Sequence, residues 1–219
     1  MKMLAIRLLL GIALCVTNAA ATVMPIPASA FPGNALLIDF AGLADGTEVN
    51  GLVVDGVGFA YSLGDGQVDI DGGPGTTNNI NPPNIVSIGD NTGSLTIALP
   101  APANMFGYGF AILSLFDVAD ATSMSVFNGP TFLGSLSFAG APDPIFTGGF
   151  AGLASTVAFD HVVVTFNSVA AIAFAMDNIL VASAIVPPPL PEPPTILLLF
   201  AGLLVVLWAR TPRTRARRV

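Results

Sequence analysis

In segment after segment of this chain, apolar residues fall at every second position, and a glycine, proline, asparagine or aspartate soon ends the run. The pattern holds over 36–40, 57–62, 94–99, 104–112, 123–127, 131–138, 161–166 and 171–182. A period of two places alternate side chains on opposite faces of a strand, whereas a buried helix face needs a period of about 3.6. No stretch between the two apolar ends shows a capped helical stripe. The expectation is an all-β domain over 35–184, a two-sheet antiparallel β-sandwich of jelly-roll-like form. In its last strand, Ile172, Phe174 and Met176 are expected on one face and Ala173, Ala175 and Asp177 on the other.

Charge narrows the possible partners. All seven basic residues lie at the termini: Lys2, Arg7, Arg210, Arg213, Arg215, Arg217 and Arg218. The stretch 22–190 carries twelve Asp and Glu48 and no base, a formal charge of −13 with His161 neutral. Such a surface repels nucleic acid and anionic lipid, and no nucleic-acid partner is expected. It attracts divalent cations, which take carboxylate oxygens. The one cysteine, Cys15, falls in the segment expected to be removed, so the mature chain is expected to have no disulfide.

The ends are targeting segments. Residues 1–21 have a basic start (Lys2, Arg7), an apolar stretch from Leu8 to Val16, and small residues ending at Ala21, the expected cleavage point. A linker, 22–34, follows. After the sandwich, the prolines of 185–194 make an extended spacer. Thr195 to Ala209 is an uncharged apolar helix, roughly 22 Å long against about 30 Å of hydrocarbon, which reads as a thin transmembrane helix. The arginines of 210–219 are then expected in the cytoplasm, with the domain outside.

Pro191, Glu192 and Pro193, then an apolar helix, then an arginine-rich end, together resemble the PEP-CTERM sorting signal of Gram-negative bacteria. The resemblance implies processing by an exosortase-type transpeptidase. It implies transient anchoring in the inner membrane, a host that makes exopolysaccharide, and a final place at the cell surface or outside it. Residues 38–62 and 150–183, the latter with Met176-Asp177-Asn178-Ile179, are similar to the opening and closing strands of β-sandwich domains in secreted PEP-CTERM proteins. Position 41 is Ala where such openings often carry an acid. The likeness to carbohydrate-binding jelly rolls implies a structural Ca²⁺ where the first and last strands meet, with Asp39 and Asp177 as its carboxylates. The acidic turn with Asp65, Asp69 and Asp71 is the competing place for a cation, and plain solvated carboxylates are the alternative to both.

Catalytic machinery is hard to assemble. His161 is the one histidine, and alternation puts its neighbour Asp160 on the opposite side of a strand, so the two are not expected to form a dyad. A pair of carboxylates could serve a glycosidase, but the stretch 22–190 has two tyrosines, no tryptophan and no base with which to hold a sugar. The expected function is therefore that of an exported, non-catalytic cell-surface or extracellular-matrix protein associated with exopolysaccharide. The alternatives are a secreted polysaccharide hydrolase and a lectin-like carbohydrate-binding module, the second of which calls for a shallow aromatic-lined face.

Overall fold

A computed structural model describes residues 21–77 and 79–183. The leader before Ala21, the motif Pro191-Glu192-Pro193, the apolar segment Thr195 to Ala209 and the basic end lie outside the described residues. Among the described residues no helix is long and apolar enough to cross a membrane.

The domain is all-β and antiparallel. Its strands are β1 (Val23–Pro25), β2 (Leu36–Ile38), β3 (Thr47–Glu48), β4 (Val53–Val54), β5 (Val57–Tyr61), β6 (Val68–Asp71), β7 (Asn84–Ser87), β8 (Ser94–Ile112), β9 (Val118–Asn128), β10 (Thr131–Pro142), β11 (Thr147–Phe166) and β12 (Phe174–Ala182). Strands β8 and β11 organise the rest. Ser94 to Ala98 pair with Thr165 to His161, and Met105 to Ile112 pair with Ala154 to Thr147. Between these blocks the ladder breaks, with register shifts at Ala154/Phe159 and Phe159/His161. Pro100 and Pro102 lie in the gap on β8; neither has an N–H to donate, so the ribbon bends there and changes layer.

Each half of the ribbon recruits its own layer. The first layer runs β10-β9-β11-β8-β5-β4 through the outer halves of the long strands. The second runs β11-β8-β12 through the inner halves and continues to β7, β6 and β3, with β1 on β11 and β2 on β12. Rings join the layers. Phe166 of the first stacks on Phe174 of the second at 4.0 Å, and Phe59 meets Phe40 at 5.8 Å. The Tyr108 and Thr122 hydroxyls share a hydrogen bond of 2.6 Å across the core, and burial pushes the Tyr108 phenol up. Full burial of a phenol needs such a partner.

The fold corrects several expectations. Residues 94–99 and 104–112 are one bent strand rather than two. Ile172 stands outside β12 and is exposed, because the strand starts at Phe174. β12 is buried on both faces, so its alternation separates two apolar environments: Phe174 and Met176 enter the main core, while Ala175 packs with Ile80 and Ala111. The turn expected around Asp69 holds strand β6, whose Val68 and Ile70 are fully buried. The stretch 22–34, expected as a linker, adds β1 to the edge of β11 and sets Phe31 edge-on to Phe150 at 6.0 Å. Strands β2 and β12 do adjoin, Ile38 opposite Ile179.

Candidate functional site

Alternation in the first layer sends Met124, Val126, Val162, Val164, Leu95 and Ile97 inward and leaves the other residues on an open face. The registers align that face into rows across the strands. One row is Ser135, Ser125, Val163, Thr96 and Ala60; the next is Ser137, Ser123, Thr165 and Ser94. The third is Phe132, Phe127, His161, Ala98 and Gly58. At about 4.8 Å per strand, five strands give a surface about 20 Å across.

Two rows are therefore rich in small hydroxyls and one carries rings. The Ser123 and Thr165 hydroxyls bond at 2.7 Å, which holds both side chains upright on the sheet. The Phe127 ring lies 5.0 Å from the His161 ring, nearly parallel at 6°, and 5.4 Å from Phe132. His161 is the one titratable side chain in the three rows, and the Asp160 carboxylate bonded to it lies beside the ring row. Sugars offer apolar C–H faces to rings and hydroxyls to hydroxyls, so a platform of this make-up suits a neutral polymer.

His161 is placed differently from the sequence expectation. Its Nδ1 lies 2.6 Å from Asp160 Oδ1, because the irregularity at Phe159 breaks the alternation and brings both side chains to one side. Asp160 Oδ2 also accepts from the Gly129 amide at 2.7 Å. These two bonds, the amide first, hold the Asp160 carboxyl below the usual range. The pair orients the His161 ring for stacking on Phe127.

The expected cation residues are also near one another. Asp39 follows β2 and is exposed; Asp177 lies in β12 and is fully buried. Phe40 and Asn178, the next residues, both have left-handed φ, 58° and 50°. Asp177 Oδ2 accepts from the Asn81 amide at 2.8 Å, while its Oδ1 has no partner. Asp39 Oδ1 is engaged by the Ala41 amide. Asp65 accepts from Asn50, Asp69 pairs in register with Glu48, and Asp71 lines a cavity at the end of β12. Among the described residues no three His, Cys, Asp or Glu side chains gather as a metal site.

Burial pushes the Asp177 carboxyl up to about 6, with the Asp39 charge adding to it and the Asn81 amide opposing. The folded pKa thus exceeds the unfolded one, and the folded state holds its proton more tightly. Stability is highest below about pH 4 for this group and falls as pH rises through 6. Asp69 is raised as well, chiefly by desolvation, and adds in the same direction. We expect the thermal midpoint to drop between about pH 4.5 and 7.5 by the equivalent of ~1–2 kcal/mol after allowance for screening. Asp177→Asn should flatten that slope, and an unaltered slope in the variant would contradict the assignment.

No family model and no curated protein matches the chain. Among solved structures, a family 29 carbohydrate-binding module from Piromyces equi overlays with a TM-score of 0.38 at 10% identity, over 75% of this chain and 91% of that one. A single-site variant of the CBM29-2 module gives 0.40 at 7% identity, over 73% and 98%. Another, complexed with cellulohexaose, gives 0.39 at 7%, over 76% and 94%. At these scores the functional reading rests on the residues of the face alone.

Proposed function

We propose that the domain is a non-catalytic carbohydrate-binding module that holds a neutral polysaccharide on the open face of its first layer. The observation that carries this reading is the juxtaposition of the Phe132–Phe127–His161 ring row with two rows of Ser and Thr hydroxyls. Rings cover apolar sugar faces, and upright hydroxyls exchange hydrogen bonds with sugar hydroxyls. The surrounding negative charge rejects acidic polymers. Native electrophoresis through gels containing soluble polysaccharide tests the idea. Retardation by at least one neutral glucan, mannan or galactan and none by a polyuronate is the expected result; free migration in every gel would refute it.

The same reading places the protein outside the cell. Its terminal segments support export, sorting at Pro191-Glu192-Pro193 by an exosortase-type transpeptidase, and release near exopolysaccharide. Mass spectrometry of the surface protein should then yield no peptide from 195–219, and a mature form that keeps Trp208 would contradict tail removal. A Ca²⁺ ion between Asp39 and Asp177 belongs to this reading as well: the unpartnered Asp177 Oδ1 supports it. A midpoint that EDTA leaves unchanged near pH 7.5 would argue against the ion.

A further inference from the structure

The strand ends opposite the fold-over carry a second surface. The loops 113–117, 143–146 and 167–173 emerge side by side there. Leu113, Leu115, Phe116, Ile145, Val169 and Ile172 stand on them, six of the twelve large hydrophobic side chains exposed among the described residues. Phe116 is 77% exposed, Ile172 76% and Val169 97%. Half of the exposed large apolar residues in three adjacent loops is clustering rather than scatter.

The loops are pinned in place. The Leu113 amide donates to the Ala173 carbonyl and the Thr147 amide to the Ser114 carbonyl, both at 2.9 Å. The Thr147 hydroxyl donates to the Phe116 carbonyl at 2.5 Å. Asn91 reaches across from the neighbouring loop to the Ala171 carbonyl at 2.7 Å. Beside them opens a cavity of about 260 Å³, walled by Leu113, Phe146, Ala173 and Phe174, with Asp71 at its edge. Ordered loops around an apolar cavity form a surface with little entropy left to lose on binding.

The surrounding charge selects the occupant. Asp117 and Asp143 sit in the apolar loops themselves, and Asp90 lies beside Asn91 in the loop tied to Ala171. The folded domain of a second copy would bring only acids to this surface, since 22–184 has no Lys or Arg. An anionic bilayer is repelled for the same reason. We infer that this end docks a segment of another protein whose apolar side chains are flanked by lysine or arginine, with one apolar side chain entering the cavity and the bases meeting the aspartates.

A peptide array tests this on the purified full-length protein. Every peptide shares one core of leucine and phenylalanine, and the flanks are lysine, serine or aspartate. The lysine-flanked peptides should bind about tenfold or more tightly than the aspartate-flanked ones, and added salt should narrow the gap. Phe116→Ser with Ile172→Ser should abolish binding while the urea midpoint stays put. Asp117→Asn with Asp143→Asn should erase the preference among flanks, and it decides the matter if the first pair unfolds. Changes in the ring row should leave the peptide signal intact, which separates this site from the proposed glycan face. Equal binding of all flanks, or binding that survives both pairs, would overturn the inference. Self-association that Phe116→Ser removes, with no peptide bound, would overturn it too.

Discussion

Gly109→Ala is expected to destabilise the domain by about 3 kcal/mol or more, among the largest effects any single added methyl can have here. Gly109 lies on β8 directly opposite Asp177 of β12. A Cβ there would strike the Asn79 carbonyl, with the carbonyl carbon at 2.7 Å and Asn79 Cβ at 2.8 Å. The turn at Asn79 cannot easily withdraw. Its carbonyl accepts from Asn178 Nδ2 at 2.8 Å, and the Asn81 amide donates to Asp177 at 2.8 Å. The added methyl therefore has to break the bonds that keep a buried carboxylate partnered. Gly149→Ala is the control: its Cβ would meet nothing closer than Phe110 at 3.8 Å. That change should stay within about 0.5 kcal/mol of neutral. Urea midpoints of the two variants measure the contrast, and similar midpoints would contradict the packing described at Asn79.

Phe127→Ala with Phe132→Ala is expected to cost roughly hundredfold in polysaccharide affinity, about 2–3 kcal/mol. Both rings lie on the open side of the first layer, so their removal takes contact area from a ligand rather than from the core. Phe132 is 56% exposed and Phe127 is half-buried against His161. The fold should lose only about 1 kcal/mol. Retardation in the polysaccharide gels should vanish while the thermal midpoint falls by a few degrees. A variant that still migrates slowly would place binding elsewhere on the molecule.

The sequence revealed strands where one face is wet. Residues 123–127, 131–138 and 161–166 alternate because one side of the first layer is open, and the period-two signal survives. It was too brief in the short strands. Val68–Asp71 alternates, but over four residues among glycines and aspartates, and reads as an acidic turn until β3 and β7 are seen on either side of it. Asn84–Ser87 is buried at three of its four positions and offers no alternation to read. The prolines at 100 and 102 looked like an end to one strand and a gap before another. They instead mark where one strand changes layer, a distinction that depends on β11 running alongside.

The candidate site was legible in parts only. His161 and the serines were visible in the sequence, but their rows come from strand register, which joins residues as distant as Ala60 and Ser135. The Asp160–His161 bond rests on a local break in alternation that no periodicity could announce. The approach of Asp39 to Asp177 was implied by the resemblance to jelly rolls rather than by periodicity: β2 and β12 do adjoin, and Asp177, placed by alternation on the face opposite Met176, is buried as well. A usable signal for the platform did exist: Ser123, Ser125, Ser135 and Ser137 alternate with apolar residues on two consecutive strands.

The most direct test of the glycan face is a map of amide shifts in ¹⁵N-labelled residues 22–184 during titration with an oligosaccharide of whichever neutral polymer retards the protein. The platform account predicts that shifts concentrate at Phe127, Ser125, Val163, Thr96 and Ser135 and fade toward β12. Shifts confined to Leu113–Phe116 and Ile172, or none at saturating sugar, would contradict it.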